Sequence, residues 1–268
     1  MTAGSNDTPV LRIAQITDTH LYADPDGRLL GLNTRDCLQQ VIALAAQRLP
    51  ALAVATGDLA HDASPRAYRH LQACFGALQA PVYCLPGNHD ERTALRAGLN
   101  DGPCHSRSAL QQAGWQLAFV DSTVSGSDGG HIADCELRQL DETLGQATGS
   151  PAIVWLHHQP VAVGSRWLDT MAVDNGADFF RVIDRHPQVR AVVWGHVHQC
   201  FEQRHKHVAL LATPSTCIQF LPGSEEFAVD MLPPGYRWID LYRDGSFSTG
   251  VERLAAMPKG IDTSRRGY

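Results

Sequence analysis

Five short apolar runs in this 268-residue chain are each followed closely by Asp, Asn or His. Residues 13–16 lead to Asp18 and His20, and residues 52–55 lead to Asp58. Residues 82–85 lead to Asn88 and His89, residues 153–156 to His157, and residues 189–194 to His196 and His198. Apolar runs of this length, bounded by turn residues, read as strands buried on both faces. The intervals between them carry helical signals, and strand, helix, strand at short spacing argues parallel sheets covered by helices. In such sheets the carboxyl ends of the strands gather along one edge. Five polar strand ends are therefore expected at one place.

The helical signals are specific. Asn33 or Thr34 caps a helix over 34–49, with Leu38, Val41, Ile42, Ala45 and Leu49 on one face. Ser64-Pro65 opens a second over 64–78. Residues 93–110 read as helical in pieces, and helices are expected over 134–144 and 177–185. Residues 21–33 and 164–176 read as loops, and 115–121 as a further strand. Beyond His198 the chain turns to strands, at 207–212, 216–220, 235–242 and 246–253. The class is α/β: two mixed sheets packed face to face with helices on both outer faces, a four-layer αββα sandwich. One domain over 10–257 is expected, with flexible tails at 1–9 and 258–268.

Composition narrows the function classes. Charged residues are 19% of the chain and the net charge is -6, which argues against coating nucleic acid or an anionic membrane. No apolar run approaches the roughly 20 residues of a membrane span. The first nine residues lack the basic and apolar pattern of a secretion signal. Seven Cys, an odd number without Cys-x-x-Cys, read as buried free thiols in a reducing compartment. A cytoplasmic protein is expected.

Each polar motif has a bland reading beside its chemical one. Leu85-Pro86-Gly87-Asn88-His89-Asp90 is either a polar turn or a set of ligands, and Gly87 allows a tight turn where the strand ends. Gly-Asn-His-acid arises by chance about 0.002 times at this composition, and Gly-His-x-His about 0.05 times. Asp-x-His is expected about once by chance, and Asp184-Arg185-His186 is a decoy at a helix end. His205-Lys206-His207 is a second decoy, in a charged turn. Gly57-Asp58 alone is worth little, and His157-His158 alone reads as one core and one surface His. Their joint order, each behind a strand, is what argues for a shared site.

In that order, Asp18-Thr19-His20, Gly57-Asp58, Gly87-Asn88-His89-Asp90, His157-His158-Gln159-Pro160 and Gly195-His196-Val197-His198 resemble the calcineurin-like metallophosphoesterases. Ile16-Thr17-Asp18-Thr19-His20-Leu21, Leu29-Leu30-Gly31-Leu32-Asn33-Thr34 and Trp167-Leu168-Asp169 resemble the bacterial class III cyclic-AMP phosphodiesterases more closely. The resemblance spans residues 10–253, with no departure among the core ligands.

It implies two divalent ions, Fe²⁺ or Mn²⁺ with Zn²⁺ as an alternative, oxygen and nitrogen donors alone not choosing among them. It assigns Asp18, His20, Asp58 and His198 to one ion, and Asp58, Asn88, His157 and His196 to the other. Asp58 bridges, and a hydroxide between the ions attacks phosphorus. The implied reaction is hydrolysis of 3′,5′-cyclic AMP to 5′-AMP. His20, Asp58, Asn88, His89 and His198 would surround the phosphate. His89 would protonate the leaving oxygen, with Asp90 holding its tautomer. His158 is either a neighbour of a ligand or a wall for substrate; His61 could reach the site from its loop, with solvent exposure the stronger expectation. Asn33, Leu32, Trp167 and Asp169 are candidates for reading the base, against the plainer roles of helix cap and local core. Other diesters, such as glycerophosphodiesters, remain an alternative substrate class. A scaffold without metal that binds a protein partner is an alternative of another kind. The oligomeric state is open, a homodimer being compatible.

Overall fold

The computed structural model describes residues 8–99, 102–264 and 267. Two six-stranded sheets face each other. The first runs Phe247–Arg253, Gly235–Leu241, Leu11–Ile16, Leu52–Thr56, Val82–Leu85, Cys104–His105. The second runs Phe201–His205, Val208–Ala212, Val189–Trp194, Ala152–Trp155, Trp115–Phe119, Ala109–Gln112. Parallel pairs fill the middle of both, and antiparallel strands close the second sheet at both edges and the first at one.

Strand alternation sorts the side chains into three layers. Leu11, Ile13, Leu52 and Val54 meet Trp115, Leu117, Ile153, Trp155 and Val193 between the sheets. Ala14, Ile16, Ala53 and Ala55 point the other way, onto Leu38, Val41 and Ile42 of the helix Thr34–Ala46 and Leu71 of Pro65–Phe75. Val154, Val192 and Trp194 likewise face Leu140 of Asp134–Gln146 and Phe179 of Gly176–Ile183. The helices begin where their caps dictate. Asn33 Oδ1 accepts from Asp36 N at 2.9 Å, and Ser64 Oγ accepts from Ala67 N at 3.1 Å with Pro65 in the first turn.

Several expectations need correcting. Residues 93–110 are not helical throughout: after Arg92–Gly98 come the strands Cys104–His105 and Ala109–Gln112. Here the chain crosses from one sheet to the other, in strands too short to show a period. Phe201–His205 has exposed middle residues and carries no apolar run, so the sequence gives no strand signal there. Within 216–220 only Gln219–Phe220 pairs. The last two long strands join the first sheet, where Gly235–Leu241 pairs antiparallel with Leu11–Ile16. All seven cysteines are free as expected, but Cys135 and Cys200 are exposed. The expected leader lies outside the described residues up to residue 7. Near the other end, Asp262 N donates to Leu30 O at 2.8 Å.

The layer between the sheets turns polar toward the carboxyl ends of the parallel strands. Gln15 and Arg237, register partners, are both fully buried. Gln15 Nε2 donates to Thr56 Oγ1 and to Trp194 O, each at 3.0 Å, and its Oε1 accepts from Thr213 Oγ1. The Arg237 guanidinium donates to Glu202 at 2.9 Å, Thr249 at 3.2 Å, Ala212 O at 3.0 Å and Thr213 at 3.3 Å. A buried charge survives only with such partners. Arg237→Ala would leave a cavity and take the guanidinium donors from buried Ala212 O and Thr213 Oγ1. The expected loss is about 3 kcal/mol of stability, measured by urea denaturation; a change under about 1 kcal/mol would mean water replaces the guanidinium at no cost.

Candidate metal centre

The loops that leave the parallel strands are held in an unusual backbone state. Asp18, His20, Asp58, His196 and His198 all have positive φ, at 54°, 44°, 50°, 62° and 47°. Left-handed backbone outside glycine costs of order 1–3 kcal/mol per residue and clusters at functional sites. Three glycines provide clearance beside these residues. A Cβ on Gly57 would come within 2.8 Å of Gly87 N, one on Gly87 within 2.8 Å of His157 Cε1, and one on Gly195 within 2.9 Å of Asp18 Oδ2. Gly57 is also left-handed, with φ of 94°. Gly87 is needed because another loop passes where its side chain would be, not because of its turn.

This packing brings seven expected residues to one place. Asp18, His20, Asp58, His157, His196 and His198 are buried and Asn88 is half-buried. His20 Nε2 lies 3.3 Å from His198 Nε2, which in turn lies 3.4 Å from Asp18 Oδ1. Asp58 stands between two groups, with Oδ2 3.7 Å from His20 Nε2 and Oδ1 3.4 Å from His157 Nε2. His157 Nε2 is also 3.1 Å from Asn88 Oδ1. The other ring nitrogens are tied down: His157 Nδ1 donates to Thr56 O at 2.7 Å, and His198 Nδ1 to Ile218 O at 2.9 Å. That fixes the tautomers with Nε2 aimed inward. Asp18 is steadied by His196 N, which donates to its carboxylate at 3.1 Å and 3.2 Å.

Electrostatics follows from the crowding. Burial presses the Asp58 carboxyl up, but the charge and hydrogen bond of His157, with His89 and His20, hold it well below the usual range. Burial presses His157 down, and Asp58 more than reverses that, lifting it to about 9. Burial dominates at His20 and His196, which are held well below an ordinary His. Lone pairs on His157 Nε2, Asn88 Oδ1 and Asp58 Oδ1 thus point at one spot, and only a proton or a cation there makes them attract. His196 Nε2 is buried with no hydrogen-bond partner, a cost that a metal ion would remove. Among the described residues, ligand atoms of Asp18, His20 and His198 lie within 4.8 Å of one another, as do those of Asp18, Asp58 and His157 and those of His157, His158 and His196.

A family model described as calcineurin-like phosphoesterase matches residues 11–200. The chain belongs to the calcineurin-like phosphoesterase family. Family members use two divalent metals, and this Asp and His cluster fits that use. The chain is 35% identical over 266 residues to the 3′,5′-cyclic adenosine monophosphate phosphodiesterase CpdA of Pseudomonas aeruginosa, covering 98% of this chain and 97% of that one. It is 38% identical over 251 residues to a 3′,5′-cyclic-nucleotide phosphodiesterase of Nostoc, covering 93% and 94%. A dimetal phosphatase from Danio rerio shares the fold, with a TM-score of 0.65 at 15% identity over 92% of this chain and 100% of that one. Among the described residues, no helix is long and apolar enough to cross a membrane.

The family's surrounding residues are placed less as the sequence led one to expect. Asp90, expected to hold His89, is bound by four other groups. Its carboxylate accepts from Leu59 N, Ala60 N and Gly87 N at 2.9–3.0 Å and from Tyr68 Oη at 3.0 Å, tying two loops together. Burial and then the charge of Asp58 lift it to about 6. His89 is half-buried, its N donates to Asp58 Oδ1 at 2.9 Å, and its ring meets His20 edge-on at 4.9 Å. His61 is not in solvent: it stacks on His89 with centroids 4.7 Å apart. His158 is no surface residue; it is fully buried, with Nδ1 2.9 Å from Ser122 Oγ.

The candidate base readers are otherwise engaged. Asn33 is the helix cap, Leu32 is buried, and Trp167 packs on Phe220 and Phe227. Asp169 accepts from Val163 N at 2.7 Å and Gly164 N at 3.1 Å, and the expected loop holds a short helix, Arg166–Asp169. The decoys stay away from the centre. His186 pairs with Asp141 at 2.7 Å, and His205 with Asp184 at 2.9 Å.

Proposed function

We propose that this chain is a two-metal phosphodiesterase that hydrolyses 3′,5′-cyclic AMP to 5′-AMP. The observation that carries the reading is the position of Asp58, one oxygen toward His20 and the other toward His157. Asp18, His20, Asp58 and His198 would hold one ion, and Asp58, Asn88, His157 and His196 the other, with residues 10–257 acting as one domain. The nitrogen and oxygen donors suit Fe²⁺, Mn²⁺ or Zn²⁺ and do not rank them, and the family resemblance favours the first two. When bound, two such ions supply an activated water and neutralise charge on the phosphate oxygens.

The chain's own residues do the rest. His20, Asp58, Asn88 and His198 line the place where the phosphate sits, and His89 faces it from the half-exposed side. The water oxygen bonds to phosphorus and gives up a proton to solvent, the bond from phosphorus to O3′ breaks, and His89 delivers the proton that O3′ needs as it leaves. Full-length similarity to enzymes named for cyclic AMP supports the substrate class. Seven free cysteines fit a reducing cytoplasm, and a net charge of -6 fits action on a free nucleotide, without nucleic acid or membrane as partner.

The test is turnover of cyclic AMP, cyclic GMP and bis(p-nitrophenyl) phosphate with Mn²⁺, Fe²⁺ and Zn²⁺ added singly. The expected kcat/KM for cyclic AMP exceeds that for the aryl diester by at least about tenfold, a difference of about 1.4 kcal/mol in transition-state binding. The engagement of Asn33, Trp167 and Asp169 within the fold favours a second reading, a diesterase of broad specificity. Equal kcat/KM across the three substrates would select it.

A further inference from the structure

An imidazole that binds a metal is kept in place by donating its other ring N–H to a neighbour. His157 uses Thr56 O and His198 uses Ile218 O. At His20 the neighbour is a second imidazole: His61 Nδ1 lies 3.3 Å from His20 Nδ1. The far nitrogen of His20, Nε2, faces Asp58 and His198. It is this atom that must be bare to take a metal. The proton then sits on His20 Nδ1, and His61 must accept it on a bare Nδ1.

The same ring has a second contact. His61 lies nearly parallel to His89, 22° between planes and 4.7 Å between centroids. On Tyr22 it is tilted by 40° at 4.8 Å. The backbone explains why it is there. The loops after Leu11–Ile16 and Leu52–Thr56 keep pairing beyond their strands. His20 N donates to Asp58 O at 2.9 Å, Leu21 N to Leu59 O at 3.1 Å, and His61 N to Leu21 O at 2.8 Å.

We infer that His61 is a positioning residue: it holds His20 in the tautomer that offers Nε2 to the metal centre, and its ring holds His89 over that centre. The inference rests on the two-metal reading above. Ligand atoms of His20, His61 and His89 also lie within 4.8 Å of one another. A third ion there would strip both ring protons from His20, making it a bridging imidazolate. A hydrogen bond leaves His20 neutral.

Two variants separate the roles. His61→Phe keeps a flat ring and loses the acceptor; His61→Gln keeps an acceptor oxygen and loses the ring. Calorimetric titration of the wild type with Mn²⁺ should show two sites. In His61→Phe one site should weaken by about 10–100-fold, with cyclic-AMP turnover recovering at saturating Mn²⁺. His61→Gln should bind Mn²⁺ within about threefold of wild type. Its kcat on cyclic AMP should fall by about tenfold or more, as a displaced catalytic group requires, and by less on the aryl diester. A second measurement needs no variant. In the Zn²⁺-loaded wild type, long-range ¹H–¹⁵N spectra should find the proton on His20 Nδ1 and none on His61 Nδ1. Unchanged Mn²⁺ affinity in His61→Phe, three ions in the wild type, or the reverse tautomers would overturn the inference alone. A wild type binding fewer than two ions would sink the two-metal reading, and this inference with it.

Discussion

Asp58→Ala should abolish turnover, by more than about 10³-fold, and remove at least one of two bound ions. Asp58 stands between the two groups of ligands: its two oxygens lie 3.7 Å from His20 Nε2 and 3.4 Å from His157 Nε2. The residue also accepts from His89 N at 2.9 Å, so alanine frees the Asn88 loop as well. Asp58→Asn separates the two effects, since an amide oxygen can still accept from His89 while the bridging charge is gone. Both variants should lose metal by elemental analysis and keep a cooperative melt. Near wild-type rates in Asp58→Asn would mean that one ion suffices, and the dinuclear reading would fall.

His89→Ala should keep both ions and slow cyclic-AMP hydrolysis by about 10²–10⁴, the range for a lost general acid. The ring touches His20 edge-on without being one of the proposed ligands, so metal content is the internal control. A ribose O3′ leaves poorly without a proton, whereas p-nitrophenolate needs none. The loss on the aryl diester should therefore be smaller by at least about tenfold. Equal losses on both would show that His89 orients phosphate and transfers no proton.

How far the chain could be read before folding depended on where the information sat. Ligands directly behind apolar runs were legible, because a strand ends at a defined edge and the residue after it inherits that edge. His20 and Asp58 are 38 positions apart in sequence and share a site for that reason alone. Asp90 was misread because a carboxylate beside a His suggests a partner, while three backbone donors and Tyr68 claimed it instead. His61 was misread because pairing that outlives its strands leaves no apolar trace. Arg237 was not singled out at all: an Arg inside a strand gives no sign that it faces the gap between two sheets. The return of Gly235–Leu241 to the first sheet was equally hidden, since alternation tells which face is buried but not which neighbour is joined.

That return has a consequence for how the protein is made. Leu11–Ile16 leaves the ribosome long before one of its two neighbours, Gly235–Leu241. Until that neighbour emerges, an apolar strand in the middle of the future sheet has an open flank, the kind of edge that recruits other chains. Thr213 and Ala212, which meet Arg237, also wait for that strand to arrive. The nascent chain therefore carries its Asp18 and His20 loop on an unfinished edge until Gly235–Leu241 has been translated.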